Sequence, residues 1–222
     1  MTSFWLKIIA AVTMFIDHMG MILFPGQIIF RVIGRLAFPI YAYCIAEGFR
    51  YTKDRVKYFL RIFILGVLCQ IVYTIVERDI YLGILLTFSL SMILMALQEK
   101  CIRGLRRREY RFCAVYIISV AAVFLLTCVI HVDYGFVGVM LPVLAALFPD
   151  KTRRLLAFAV GLTALSFAQY KMGSTTQIVC LLALVPLALY NGKPGKYRLK
   201  YFFYIFYPAH LVLLYAMGFL MR

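Results

Sequence analysis

The stretch LKIIAAVTMFIDHMG (6–20) decides the fold, because it belongs to an apolar run of membrane-spanning length and yet carries ionisable residues. Lys7 lies near one end, and the adjacent Asp17 and His18 lie well inside. At about 100° per residue Lys7 and His18 fall on one helical stripe, roughly 16 Å apart along the axis, whereas Asp17 faces a neighbouring direction. Ionisable side chains are costly in a bilayer, so this pattern indicates a polar track that enters the membrane.

The composition is that of an integral membrane protein. Of the 222 residues, 64% are hydrophobic and 15% are charged, whereas a soluble domain is nearer half apolar. The net charge of +15 would suggest nucleic acid in a soluble protein. Here cationic loops that set the topology and meet anionic lipid head groups explain it. No base-reading module is visible, so we expect no nucleic-acid partner.

Apolar runs of spanning length follow one another along the chain. They cover residues 4–24, 28–49, 57–76, 80–98, 112–130, 134–148, 155–170, 175–190 and 201–221. The sixth run is short, and Gly135, Gly138 and Pro142 leave room for a kinked or re-entrant segment. We therefore predict an all-α, polytopic helix bundle with about nine transmembrane helices (eight to ten) in one domain, residues 1–222.

Basic residues alternate between the two ends of the predicted helices. The loops at one end are rich in basic residues: they hold Arg50 to Arg61 after the second run, Lys100 to Arg111 after the fourth, Lys151 to Arg154 after the sixth and Lys193 to Lys200, with Arg198, after the eighth. The other loops hold Arg31, Arg35, Arg78 and Lys171, with Arg222 at the end. The positive-inside rule then predicts a cytoplasmic N-terminus and an external C-terminus. Lys7 would lie near the cytoplasmic face, and His18 past the midplane.

His18 is the main candidate for chemistry. A neutral imidazole can remove a proton from an attacking hydroxyl or amine, or itself accept an acyl group. The alternative is a buried histidine that merely hydrogen-bonds a neighbouring helix. Asp17 is expected to anchor another helix or a polar cavity wall, and Arg31 and Arg35 either pair with it or extend outward.

The last run contains a second deep imidazole in Tyr207-Pro208-Ala209-His210. Proline within a span frees a backbone carbonyl, and the aromatic residues before it are also typical of an interfacial belt. We predict that Tyr207 and His210 line the same cavity as His18.

A basic and aromatic segment, GFRYTKDRVKYFLR (48–61), follows the second run. Topology and lipid contact are one explanation for its cations. The other is a seat for the phosphates and the base of a nucleotide-like donor, with Arg50, Arg55, Lys57 and Arg61 against the phosphates.

Other common sites lack support in the sequence. There is no Walker loop, HExxH, Gly-x-Ser-x-Gly or dinucleotide fingerprint. Three dispersed histidines predict no metal site, and the six cysteines show neither metal spacing nor a disulfide pattern.

Three passages together resemble the TraX family of membrane proteins, which is associated with N-terminal acetylation of conjugative pilin. They are LKIIAAVTMFIDHMG (6–20), RVIGRLAFPIYAYCIAEGFRYTKDRVKYFLR (31–61) and NGKPGKYRLKYFFYIFYPAHL (191–211). TraX-like proteins are in turn distantly similar to membrane acyltransferases of the acyltransferase-three and heparan acetyltransferase type. Many of the former carry a basic residue, ten intervening residues and a histidine in the first helix, and Lys7 and His18 match that spacing.

The resemblance implies acetyl transfer from cytoplasmic acetyl-CoA to an acceptor at or across the bacterial cytoplasmic membrane. The acceptor stays open between a protein N-terminus, a sugar and a small molecule. His18 would be general base or acyl carrier, Asp17 would orient the group through Arg35, and His210 and Tyr207 would line the chamber. The CoA phosphates would be bound by Lys7, Arg50, Arg55, Lys57 and Arg61.

Two other functions stay open. A small proton-coupled transporter would use the deep Asp17, His18 and His210 to bind a proton and a substrate. A non-catalytic assembly factor of a secretion or conjugation apparatus would use the buried charges only as ties between helices.

Overall fold

The structure, a computed structural model, describes residues 1–78, 81–196 and 200–221 and is almost entirely helical. Arg198 and Arg222 of the charge pattern lie outside the described residues. The helices are α1 (Ser3–Ile22), α2 (Ile28–Gly34), α3 (Ala37–Tyr51), α4 (Arg55–Glu77), α5 (Ile84–Arg106), α6 (Arg111–Val129), α7 (Gly135–Ala146), α8 (Lys151–Lys171), a 3₁₀ helix (Thr176–Ala183), α9 (Leu184–Ala188) and α10 (Lys200–Leu220). Two short strands, β1 (Tyr81–Leu82) and β2 (His131–Val132), pair in parallel.

The described residues contain six helices long and apolar enough to cross a membrane. They are α1, α2 together with α3, α4, α5, α6 and α10. Their outer surfaces are apolar: in α6, for example, Ile117 and Ile118 are 66% and 68% exposed and none of the residues is buried. Such surfaces are stable against lipid and not against water. The chain is therefore an all-α membrane protein.

Each of the nine apolar runs coincides with a helical segment of the structure. However, α7 has 12 residues, about 18 Å of helix, which is shorter than a bilayer core of about 30 Å. Thr176–Ala188 is also a shorter apolar segment. The number of nine spans and the direction of the N-terminus stay predictions.

The run 28–49 forms two helices where one was expected, with a turn at Arg35 and Leu36. Pro39 lies four residues after Arg35 in the first turn of α3. Proline has no N–H to donate to the carbonyl at i−4, and its ring clashes with that group. The helix therefore breaks where that carbonyl would have been bonded.

The chain forms two compact units. The first unit comprises residues 1–44 and 162–222, and in it α1 packs against both α2 and α10. Leu6 and Ala10 of α1 are fully buried, as are Ile40 of α3 and, to within 1%, Leu214 of α10. The candidate histidines lie in this unit.

The second unit comprises residues 45–161 and is arranged around α5, which packs against α4, α6 and α7. Leu94, Met95 and Leu141 form part of its core. A buried ion pair joins Glu47 to Arg154, whose Nε also donates to the carbonyl oxygen of Ala145 at 2.9 Å. Glu47 and Arg154 are 107 positions apart in the chain, so the pair connects distant parts of this unit.

Candidate functional site

Two imidazoles meet in the first unit, one from α1 and one from α10. The Nδ1 atom of His18 lies 2.7 Å from the Nε2 atom of His210, and the two rings stack with centroids 4.9 Å apart. His210 is only 3% exposed. The structure thus brings together the two deep histidines of the sequence, which are 192 residues apart.

The surroundings of His210 determine which nitrogens carry hydrogen. Its Nδ1 atom lies 2.7 Å from the carbonyl oxygen of Phe206, which can only accept, so this nitrogen donates. In the neutral ring Nε2 is then an acceptor, and it accepts the Nδ1–H of His18. The neutral pair therefore leaves the lone pair of His18 on Nε2, which is the arrangement of a general base oriented by a second group.

Aromatic rings enclose His210. The Phe206 ring stacks on it with centroids 4.9 Å apart, and the Phe15 ring lies at 6.4 Å. Tyr207, a predicted chamber residue, has its ring edge-on to His210 at 6.1 Å. These rings restrict the rotation of the imidazole, so the direction of its hydrogen bonds is fixed by packing.

Asp17 points to a different neighbour from His18. Its Oδ2 atom accepts from Nη1 of Arg31 in α2 at 2.6 Å. Arg31, rather than Arg35, is thus the cation bonded to Asp17. Helix α2 comes close enough because glycines lie at the contact: a Cβ atom at Gly20 would be 2.3 Å from the Cβ atom of Phe30.

Lys7 and His18 both have neighbours in α10. The Lys7 ammonium lies 6.0 Å from the centroid of the Phe203 ring. This distance is the outer limit for a cation–π interaction, about 6 Å. The stripe predicted for α1 therefore borders α10, with Lys7 beside its beginning and His18 beside His210.

Four of the five predicted phosphate-binding cations lie in the second unit, and each of the four makes a contact there. Arg50 donates to the carbonyl oxygens of Phe148 and Pro149 at 3.3 and 3.1 Å. Arg55 forms a two-bond ion pair with Glu99.

The other two cations contact their own helix. Lys57 lies 3.2 Å from Asp54, and Arg61 donates to the carbonyl oxygen of Lys57 at 2.9 Å. The Lys57 side chain is 79% exposed. No pattern in the sequence pointed to Glu99 as a partner of Arg55, because the two are 44 residues apart.

Sequence reasoning missed Gln177 in the 3₁₀ helix. Its side chain is completely buried, and the Cys180 thiol is its polar neighbour. The only signal in the sequence was a single carboxamide inside the apolar run 175–190. In the described part of the chain no group of three or more histidine, cysteine or acidic residues could hold a metal ion.

The sequence model of the TraX protein family matches residues 3–218. The chain belongs to the TraX family. It is 28% identical over 238 residues to a protein of Dichelobacter nodosus named probable fimbrial assembly protein FimC, serogroup H1, and the match covers 96% of this chain and 94% of that protein. An uncharacterised protein of Rickettsia prowazekii (strain Madrid E) is 39% identical over 74 residues, 33% of this chain and 28% of its own length. No solved structure matches the chain.

The TraX match extends over both units of the structure. It therefore includes the histidine pair and Asp17 of the first unit as well as the basic segment 50–61 of the second.

Proposed function

We propose that this TraX-family protein is an acetyltransferase of the bacterial cytoplasmic membrane, which moves an acetyl group from acetyl-CoA to an acceptor amine or hydroxyl. The observation that carries the proposal is the hydrogen-bond chain from the Phe206 carbonyl through His210 to His18. It orients His18 and leaves Nε2 as a base, and that is the group that acyl transfer to an amine or hydroxyl requires.

In the proposed reaction His18 Nε2 removes a proton from the acceptor while the acceptor nitrogen or oxygen attacks the thioester carbonyl. A C–N or C–O bond forms, the C–S bond breaks, and the proton ends on the CoA sulfur. The alternative route acetylates His18 Nε2 first and transfers the group in a second step. In both routes His210 is a positioning residue that accepts the Nδ1–H of His18 and stabilises positive charge on that ring.

Within the second unit, the CoA phosphates are proposed to bind Arg50, Arg55, Lys57 and Arg61; within the first unit, acetyl-CoA is proposed to contact Lys7. The second-unit cations are engaged in contacts that include exposed ion pairs, and such pairs contribute only about 0–1 kcal/mol. Exchanging a carboxylate for a phosphate oxygen at Lys57 is therefore inexpensive. Tyr207, beside His210, and Arg35 are proposed to line the chamber for the acceptor, and Asp17 to hold Arg31 at its wall.

The proposal includes a direction across the membrane. By the positive-inside rule, the basic loops support a proposed topology of about nine spans with a cytoplasmic N-terminus and an external C-terminus. Lys7 then lies on the side where acetyl-CoA is found, and His18 lies toward the outer side. An acceptor that has been exported, such as a protein subunit of a fimbria, can meet the acetyl group there.

A non-catalytic role in fimbrial assembly is the second candidate. It is supported by the printed name of the Dichelobacter nodosus relative and by the ion pair between Asp17 and Arg31, which ties α1 to α2 as that role requires. Under it, replacement of His18 would leave assembly intact.

The deciding experiment follows CoA release and label transfer by the purified, detergent-solubilised protein with radiolabelled acetyl-CoA. The acceptor probes are a hexapeptide with a free amino terminus and glucosamine. Wild type is compared with His18→Ala and Lys7→Ala, and His131→Ala is the matched control because His131 is exposed on β2. We expect roughly a 10²–10⁴-fold loss of turnover in His18→Ala. In Lys7→Ala we expect a raised KM for acetyl-CoA with little change in kcat.

Label on the wild-type protein that is absent from His18→Ala indicates the two-step route. If the folded wild type neither binds acetyl-CoA nor releases CoA, the enzyme proposal is wrong. Uptake of substrate by reconstituted vesicles without CoA would then favour the transporter.

A further inference from the structure

Two cysteine thiols meet where α5 and α6 pack against each other in the second unit. The Sγ atom of Cys101 lies 2.7 Å from the Sγ atom of Cys113, and the Cys113 thiol also lies 3.6 Å from the carbonyl oxygen of Cys101. A disulfide bond is about 2.05 Å long, so the two sulfurs are only about 0.65 Å further apart than bonded sulfurs. A bond between them therefore requires little movement of either helix.

The turn between the two helices holds the thiols in this position. Only residues 107–110 separate α5 from α6, and the backbone N–H groups of Arg107 and Glu109 both donate to the carbonyl oxygen of Gly104, at 3.0 and 2.8 Å. The close approach requires a glycine at position 104. A Cβ atom there would lie 2.9 Å from the carbonyl oxygen of Glu109 and 3.0 Å from Cδ2 of Phe112. A short, hydrogen-bonded helical hairpin thus presents the two cysteines to each other.

A second contact between the helices limits their rotation. Gln98 of α5 is hydrogen-bonded to Tyr116 of α6, and these residues lie one turn away from Cys101 and Cys113 respectively. Because residues three apart lie on one face of a helix, this bond and the thiol contact occupy the same face of each helix. Two contacts on one face leave the helices little freedom to turn the thiols apart.

A metal ion fits the two sulfurs less well than a disulfide. A zinc ion lies about 2.3 Å from each thiolate ligand, so two thiolates on one tetrahedral ion are about 3.8 Å apart. Such a site also needs further ligands, and the residues that the structure describes include no group of three or more histidine, cysteine or acidic residues able to hold a metal. The separation of the sulfurs and their surroundings both favour a disulfide.

We propose that Cys101 and Cys113 are a reversible redox site, a dithiol that is oxidised to an intramolecular disulfide by a small disulfide such as glutathione disulfide. One cysteine thiolate attacks the small disulfide, which forms a mixed disulfide and releases one glutathione. The second cysteine then attacks the mixed disulfide and releases the other glutathione. Two protein thiols are oxidised to one disulfide, glutathione disulfide is reduced to two glutathione molecules, and the two thiol protons end on these.

The charge of the hairpin suits this reactant. Positions 100–111 contain six basic residues and one acidic residue, and all six basic side chains are exposed. Glutathione disulfide is an anion, so the positive potential raises its local concentration. The proposed topology puts this loop in the cytoplasm, where glutathione keeps ordinary thiols reduced. The pair is then a dithiol under ordinary conditions and a disulfide when the glutathione pool is oxidised.

The disulfide fastens a weakly held helix to its unit. Helix α6 packs against α5 and α7, yet none of its residues is buried within the described chain. A helix with so few buried contacts separates from its neighbours at low cost in free energy. A covalent link in its first turn keeps α6 attached to α5 and restricts the unfolded chain, so the oxidised protein is the more stable form.

The test exposes the purified full chain in detergent to mixtures of glutathione and glutathione disulfide, with glutathione in excess so that isolated thiols stay free. The denatured protein is then labelled with a maleimide-linked polyethylene glycol, and the labels are counted by gel shift. The reduced chain should take up six labels, one for each cysteine, and the oxidised chain four. The oxidised chain should also unfold at a temperature at least about 4 °C higher.

Digestion with trypsin identifies the bonded pair. Cleavage after Lys100 and Arg103 leaves Cys101 in a three-residue peptide, and cleavage after Arg111 starts another peptide at Phe112. Mass spectrometry of the unreduced digest should find these two peptides joined, and treatment with a reductant should separate them.

Three variants locate the site. Cys101→Ser and Cys113→Ser should each take up five labels in every glutathione mixture and show no rise in unfolding temperature. Cys128→Ser is the matched control, because Cys128 is an exposed thiol on the same helix. It should fall from five labels to three on oxidation and keep the full rise in unfolding temperature.

The unfolding temperature in reductant checks that each variant is folded, and the peptide digest tests wild type directly if one is not. Six labels on the wild-type chain in every mixture, or joined peptides that lack either Cys101 or Cys113, would overturn the proposal. None of these measurements uses acetyl-CoA, so their outcome is independent of the proposed acetyl transfer.

Discussion

A Cβ atom added at Gly34 would lie 2.1 Å from Oδ1 of Asp17 and 2.3 Å from its Cβ atom. Contacts this short do not occur, so Gly34→Ala must push α2 away from α1. Overpacking of this kind costs about 1–3 kcal/mol, and the displacement also lengthens the ion pair between Asp17 and Arg31. We expect a clear fall in the unfolding temperature, measured by circular dichroism in detergent.

Gly26→Ala is the control for that substitution. Gly26 lies in the loop between the same two helices, and its added Cβ atom would meet nothing within 4 Å. The unfolding temperature of this variant should match wild type to within the effect of an ordinary surface change, about 0.5 kcal/mol. Equal unfolding temperatures for Gly34→Ala and wild type would contradict the close approach of α1 and α2.

His210→Phe tests the positioning role of the second imidazole. Phenylalanine can still stack on Phe206, but it offers no acceptor for the Nδ1–H of His18. If the proposed function is correct, kcat should fall at least about tenfold, which is part of the roughly 10²–10⁴-fold contributed by a positioned base. The measurement is CoA release at saturating acetyl-CoA.

A glutamine at position 210 provides the rescue. Its carboxamide oxygen is an acceptor for His18, so His210→Gln should retain more activity than His210→Phe at equal unfolding temperature. If both variants lose the same activity, the hydrogen bond between the imidazoles has no catalytic role, and the stacking alone would explain the contact.

The helical class and the positions of the segments could be predicted from hydropathy alone, because a bilayer requires about 20 apolar residues in each span. The break at Arg35 and Leu36 was missed, although Pro39 was visible in the sequence. A span can tolerate proline when its neighbours satisfy the freed carbonyl, so sequence does not decide between a kink and a break.

The site was predictable as a set of residues and not as a set of contacts. Ionisable residues stand out in an apolar sequence, and burying them in a bilayer costs free energy. For that reason Asp17, His18 and His210 could be selected as candidates. Which partner each one takes depends on helix packing: Asp17 bonds Arg31, although Arg35 lies on the same segment. Gln177 was missed because burying a neutral amide costs less free energy than burying a charge, and because one amide changes the mean hydropathy of its run only a little.

The start of α4 predicts a dependence of stability on pH. The backbone N–H of Lys57 donates to Asp54 Oδ1 at 2.9 Å and holds the pKa of this carboxyl below its usual value. The stabilisation is fully present above the unfolded-state pKa of about 3.9 and is lost as pH falls through the lower folded-state value. The unfolding temperatures of wild type and Asp54→Ala should therefore differ by a constant amount between about pH 5 and about pH 7. Below about pH 4 this difference should shrink.

Asp54→Asn separates the cap from the charge. Asparagine is as good an N-cap as aspartate, but it does not titrate in this range. The difference between Asp54→Asn and Asp54→Ala should hence be independent of pH. A difference between wild type and Asp54→Ala that grows as pH falls would be the wrong sign for a carboxyl with a lowered pKa.

The last prediction concerns the stability contributed by the buried ion pair between Glu47 and Arg154. Both side chains are under 10% exposed, so Arg154→Met leaves an uncompensated carboxylate in the core and should cost about 3–5 kcal/mol. The double variant with Glu47→Leu removes both charges and should recover most of that loss, as seen in the unfolding temperature. Arg103→Gln is the control, because its pair with Glu99 is exposed and long at 3.9 Å, and it should change stability by less than about 0.5 kcal/mol. If the double variant is no more stable than Arg154→Met, the loss comes from the hydrogen bond to Ala145 and not from the unpaired charge.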